Sequence, residues 1–154
     1  MKITEILKKN FIIPDLENSS KTEVLRELAD FLSKNGVVKD PEELHKSLME
    51  RENLGSTGIG ENVAIPHAKS EEVDFITTIF GRSLKGLDFD ALDKKPVHFI
   101  CLVVAPVNST GLHLKALARI ARILKNIKLR DAIMEAKDGD EIYSKLVDED
   151  SNFI

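Results

Sequence analysis

Hydrophobic positions along the chain fall into two textures, one repeating every three to four residues and one of unbroken apolar runs. Ile3, Ile6 and Leu7 predict a short opening helix, and Phe11 to Ile13 a brief extended piece ended by Pro14. Ser20-Lys21-Thr22-Glu23 has the form of a capping box. It opens a helix whose apolar stripe is Val24, Leu25, Leu28, Phe31 and Leu32, and Gly36 stops it. Asp40-Pro41 predicts a second helix to about Glu52, with Leu44 and Leu48 facing inward. Gly55-Ser56-Thr57-Gly58-Ile59-Gly60 then reads as a glycine-rich turn, followed by Val63-Ala64-Ile65 as a short buried strand. Phe75 to Phe80 and Val97 to Val104 are β-branched and aromatic runs, as strands buried on two faces require.

Between those strands, Gly86 to Asp90 and Asp93 to Pro96 carry turn signals around a short hairpin. A third helix is predicted from about Leu112 to Asn126. Its apolar stripe reads Leu114, Leu117, Ala118, Ala121 and Leu124, with Arg119, Arg122 and Asn126 on a solvated side. Two shorter helices follow, around Arg130 to Ala136 and, capped by Asp138 or Asp140, on to Val147. Helices alternating with strands place the chain in the α/β class, a mixed central sheet covered by helices.

Composition narrows the function classes. A length of 154 residues suits one domain over 1–154, and 42% hydrophobic with 31% charged residues describes an ordinary globular protein. Net charge is −4 with no basic cluster, which argues against a nucleic-acid partner. Apolar runs are too short to span a membrane, and Met1 to Asn10 does not read as a secretory signal. The one cysteine, Cys101, lies in an apolar run and reads as a buried thiol in a reducing cytoplasm.

Four histidines are the candidates for chemistry. His45 lies among charged helix residues and reads as a surface residue, and His98, inside a strand, as a hydrogen-bonded structural one. Pro66 before His67 fixes φ and bars the α region for Ile65. The chain is therefore expected to leave the sheet there, holding His67 at a carboxyl strand end, where α/β sheets bind ligands. A structural histidine at a strand end fits the same residues equally well. His113 opens the third helix, whose first amides favour anions, although a plain first-turn residue also fits. Gly58-Ile59-Gly60 is neither a phosphate-binding Walker loop nor a dinucleotide fingerprint. The histidines lack metal-ligand spacing, so neither metal nor cofactor is expected.

Several separated segments resemble one family. They are Arg51-Glu52 with Ser56-Thr57-Gly58-Ile59-Gly60, Val63-Ala64-Ile65-Pro66-His67, Gly86 to Asp93, Pro96-Val97, and His113-Leu114-Lys115-Ala116-Leu117. In this order they are similar to the fructose/mannitol-type enzyme IIA of the phosphoenolpyruvate-dependent sugar phosphotransferase system, over roughly Met1 to Val147. Ala68 departs from the glycine usual in that family after the histidine.

The resemblance implies a mixed, mostly parallel five-stranded sheet with helices on both faces. It implies a cytoplasmic phosphocarrier that takes a phosphoryl group from the phosphocarrier protein HPr on His67 and passes it to an enzyme IIB. The resemblance also implies work beside the membrane permease without membrane insertion. His113 and Arg51 would stabilise the phosphoryl group, joined by backbone N–H groups of the glycine-rich turn. Thr57, with Ser56, is a candidate orienting hydroxyl.

Three other readings compete. A nitrogen-related regulatory enzyme IIA shares the same blocks, and the Gly86 to Asp93 and His113 to Leu117 segments favour the sugar branch over it. The others are a non-enzymatic binding module with structural histidines and a metal enzyme using His67 with His113.

Overall fold

The structure, a computed structural model, describes residues 1–153. Two short 3-10 turns, Ile3–Glu5 and Lys9–Phe11, bury Ile3 and Phe11 and lead into β1, Ile12–Ile13. Helix α1 is Lys21–Lys34 and α2 is Pro41–Asn53. Strands β2 (Gly58–Gly60), β3 (Val63–Ala64), β4 (His67–Ser70), β5 (Thr77–Leu87) and β6 (Val97–Pro106) follow. Helices α3 (Thr110–Leu124), α4 (Ile127–Glu135) and α5 (Gly139–Asp150) close the chain.

Local chemistry accounts for the helix ends. Ser20 Oγ accepts the Glu23 N–H and donates to the Glu23 carboxylate, so the capping box closes through the side chains. At the far end Gly36, at φ +74°, lets its own N–H reach Ser33 O and the Val37 N–H reach Leu32 O. That is the left-handed glycine stop predicted for this position. Asp40 caps α2 through the Glu43 N–H, and Asp138 caps α5 through the Glu141 N–H.

The sheet order is β1-β5-β6-β3-β2, with β4 also on β6. β1 runs parallel to β5, and β3 and β4 run parallel to β6, while the pairs β2/β3 and β5/β6 are antiparallel. β3 and β4 hold one register on β6, with Ala64 opposite Ile100 and His67 opposite Val103. They act as a single strand interrupted at Ile65-Pro66, and the sheet then has the five positions expected. Every residue of β6 from Phe99 to Ala105 is buried, so both faces of the sheet are covered. α1 packs on α2, α2 on β4, α3 on β6 and α5 on β1.

Three expectations change. β5 begins later and runs further than predicted, through Gly86 and Leu87, so the hairpin is the β5/β6 pair itself with a long connection. Gly86 sits there at φ +83°, where a Cβ would lie 2.9 Å from Pro96. In α3 the buried residues are His113, Ala116, Ile120, Ile123 and Leu124, whereas Leu114, placed on the inner stripe from sequence, is 62% exposed. The helix carries two overlapping apolar stripes, and sheet contact selects the one with isoleucines. Arg119, expected in solvent, is partly buried and donates to Asp150 at 2.6 Å.

Ile100 sits in the middle of this core with no exposed surface. Ile100→Ala should cost about 2–5 kcal/mol, read as a lower urea midpoint with an unchanged slope.

Candidate active site

The continuous β3–β4 strand explains how His67 is held. Ile65 directs its N–H and C=O away from β6: the N–H donates to Thr57 O at 3.0 Å. The carbonyl receives His67 Nδ1 at 2.9 Å. A carbonyl oxygen only accepts, so Nδ1 carries the proton and Nε2 holds the free lone pair. Pro66 has no N–H to give to the ladder, yet its carbonyl accepts the Val103 N–H at 2.9 Å, and the register survives. His67 therefore does not leave the sheet as the proline suggested; it begins β4, paired with Val103. Ala68 lies in this strand outside the left-handed region, so its methyl group adds no backbone strain.

His113 meets His67 edge-on, with ring centroids 5.2 Å apart and an interplanar angle of 84°. It is buried, and its Nε2 has no hydrogen-bond partner among the described residues. Burial, then the neighbouring His67 and Lys69, hold its pKa below the ordinary imidazole value. A neutral ring beside His67 offers a hydrogen bond without adding charge.

Arg51, in the last turn of α2, donates from Nη1 to Gly55 O at 2.8 Å. Its guanidinium has further N–H groups for an anion. Lys69 is two residues beyond His67 on β4 and so shares its face of the strand. Its Nζ donates to Thr110 Oγ1, at the start of α3, at 2.8 Å. These side chains line one cleft of about 680 Å³, rimmed by Leu54 at 85% and Leu114 at 62% exposure.

Sequence reasoning missed Lys69 as a site residue. Strand alternation from His67 points to it, but only once the strand is known to continue past Pro66.

Thr57 stands differently from its expected orienting role. Its hydroxyl donates to the Glu52 carboxylate, and its N–H donates to Glu52 at 3.0 Å. Ser56 Oγ likewise donates to Phe89 O. The glycine-rich turn contributes no lining to the cleft, because Gly58 to Gly60 pair as β2. His45 is buried rather than on the surface, with Nε2 3.0 Å from Thr22 O. His98 is structural, with Nδ1 2.7 Å from Ser83 O. Cys101 is buried, which pushes its thiol up to about 12. Among the described residues no group of three or more histidine, cysteine or acidic side chains is placed to hold a metal. No described helix is long and apolar enough to cross a membrane.

A strand-borne histidine with a free Nε2, beside a neutral histidine and two cations, has the layout of a phosphoryl acceptor. Residues 5–149 match the family described as "Phosphoenolpyruvate-dependent sugar phosphotransferase system, EIIA 2", and the chain belongs to that family of phosphocarriers. It is 37% identical over 142 residues to the fructose-specific EIIABC component of Bacillus subtilis (strain 168), covering 92% of this chain but only 22% of that protein. It is 36% identical to the nitrogen regulatory protein of Bradyrhizobium diazoefficiens, covering 95% of each.

Among solved structures, nitrogen regulatory protein IIA-Ntr from Neisseria meningitidis superposes with a TM-score of 0.86 at 34% identity, covering 94% of this chain and 98% of that one. Enzyme IIAMTL of Escherichia coli, solved in complex with phosphorylated enzyme IIBMTL, shares the fold with a TM-score of 0.75 at 21% identity. That match covers 93% of this chain and 99% of that chain.

The lowered pKa of His113 has a consequence for stability. Below the ordinary imidazole value of about 6.5 the unfolded chain takes up a proton that folded His113 refuses. Stability should therefore fall as pH drops from about 6.5 toward the lower folded value, because the unfolded state binds more protons there. In His113→Gln that part of the slope should disappear, as read from urea midpoints across the range.

Proposed function

We propose that the protein is a phosphocarrier that accepts a phosphoryl group from phosphorylated HPr on Nε2 of His67 and passes it to an enzyme IIB of the fructose/mannitol class. The observation that supports this most directly is the His67 Nδ1 bond to Ile65 O, which leaves the Nε2 lone pair as the nucleophile. In the first step the N–P bond of the donor phosphohistidine breaks as a new N–P bond forms to Nε2. In the second a cysteine thiolate of the IIB partner forms an S–P bond as the His67 N–P bond breaks, returning His67 to its starting tautomer. Nδ1–H stays on Ile65 O throughout, so no proton needs to move on His67.

Arg51 and Lys69 compensate the charge of the phosphoryl oxygens, and the unpartnered Nε2 of His113 supplies a hydrogen bond. The exposed leucines at the rim, Leu54 and Leu114, suit docking by protein donors and acceptors. In this reading 1–154 is one IIA unit. It works in the cytoplasm beside the membrane permease and needs no cofactor.

Phosphoenolpyruvate, enzyme I and HPr should add one acid-labile phosphate by mass to the wild type and none to His67→Ala. An unlabelled wild type, or a labelled His67→Ala, refutes the reading. Arg51→Ala should slow transfer by about 3 kcal/mol at most, roughly a hundredfold, as for one lost charge-stabilising donor.

A second reading has its own support. The match to the Bradyrhizobium nitrogen regulatory protein runs along 95% of both chains at nearly the same identity as the fructose-specific match. In that reading the same His67 chemistry reports phosphorylation state to a regulatory target. Transfer from phosphorylated protein to a fructose-class IIB, followed by sugar phosphorylation, selects the transport reading. A stable phosphoprotein that no such IIB discharges selects the regulatory one.

A further inference from the structure

Glu52 is the residue after Arg51, yet it points the other way, into the protein. Its side chain is 1% exposed and lies 3.1 Å from Lys21 Nζ, which is itself 12% exposed. Both charges sit at unfavourable helix ends. A carboxylate in the last turn of α2 faces the negative end of the helix dipole, and a lysine at the first position of α1 faces the positive end. Burying the pair adds a desolvation cost that only further hydrogen bonds offset. A local rule broken twice at one place marks a constraint from elsewhere in the fold.

That constraint is visible in what Glu52 holds. Its two oxygens take both donors of Thr57: the N–H on Oε1 at 3.0 Å and the hydroxyl on Oε2. Thr57 is thereby clamped, and its carbonyl receives the Ile65 N–H at 3.0 Å. The Ile65 carbonyl in turn receives Nδ1–H of His67 at 2.9 Å. The same turn sets the arginine, because the Gly55 N–H returns to Glu52 O at 3.0 Å while Gly55 O accepts Arg51 Nη1. Lys21 completes the anchor from α1, over the Phe89 ring at 4.9 Å.

We infer that Glu52 is a positioning residue for phosphoryl transfer: through Thr57 and Ile65 it fixes the His67 tautomer that leaves Nε2 as the nucleophile. This rests on the phosphocarrier reading for its rate consequence, but not for its effect on the ring. If Thr57 is released, the Ile65 carbonyl loses its fixed direction and His67 can place its proton on either nitrogen. Molecules with Nε2 protonated cannot attack. Glu52 touches no reacting atom, so its loss should lower the transfer rate at saturating donor and leave the apparent KM for phosphorylated HPr almost unchanged.

Glu52→Met removes both acceptors at similar volume, and Glu52→Gln keeps both links to Thr57, with an amide oxygen for the N–H and an NH2 that donates to the hydroxyl oxygen. In 15N-labelled, unphosphorylated protein at a pH where imidazole is neutral, the His67 ring shifts of Glu52→Met should show a mixture of tautomers. The wild type should show a single tautomer protonated at Nδ1. Transfer from phosphorylated HPr should fall several-fold in Glu52→Met, in proportion to the share of rings protonated at Nε2, with most of it restored in Glu52→Gln. A folded Glu52→Met with the wild-type tautomer and rate overturns the inference. If Glu52→Met does not fold, Thr57→Val, which loses only the hydroxyl bond, should shift the tautomer in the same direction, and an unchanged ring overturns the inference. A wild type that takes no phosphate refutes the phosphocarrier reading instead, while the ring shifts still test the relay.

Discussion

The hydrogen bond from His67 Nδ1 to the Ile65 carbonyl is the constraint on which the rest of the site depends. An imidazole free to exchange tautomers presents its lone pair on either nitrogen, and only one of them can face an incoming phosphorus. Making the bond requires a carbonyl that the sheet leaves vacant. The parallel pairing of β3 and β4 on β6 supplies it, because Ile65 turns both backbone groups away from β6. Pro66 is tolerated at this point because its carbonyl still pairs with Val103.

The surrounding electrostatics follow from three elements meeting at that strand. The protein carries a net −4, yet Arg51 from α2 and Lys69 from β4 converge on the cleft that His67 lines. His113 arrives from α3, and burial keeps it neutral. In the proposed reading a phosphoryl group on His67 would meet two basic side chains and one imidazole. That suits a group held for onward transfer, since a third full charge would bind it more tightly and slow its release. Exposed leucines rim the cleft.

Helix ends and buried strands were legible in local sequence, because capping and apolar runs act over a few residues. Ser20, Gly36, Asp40 and Asp138 stop or start helices where their chemistry indicates. The inward face of α3 was not legible. Its sequence carries two apolar stripes, and the choice between them is made by contact with β6. The continuation of the strand past Pro66 was also hidden, since a proline signals a break unless the partner's register is known. Lys69 was missed for that reason, and Thr57 was aimed at the wrong neighbour.

Local chemistry in the chain thus settled that a histidine follows a proline-stiffened apolar segment, with an arginine-bearing helix before it and a histidine-bearing helix after it. Only the assembled fold decided which ring nitrogen of His67 is free and that Lys69 joins the cleft. It also decided that Glu52 lies beneath the site rather than in it. Those choices rest on hydrogen bonds and packing between segments far apart in sequence, such as β4 with β6 and Lys69 with Thr110. No short-range pattern records which distant groups a folded chain will bring together.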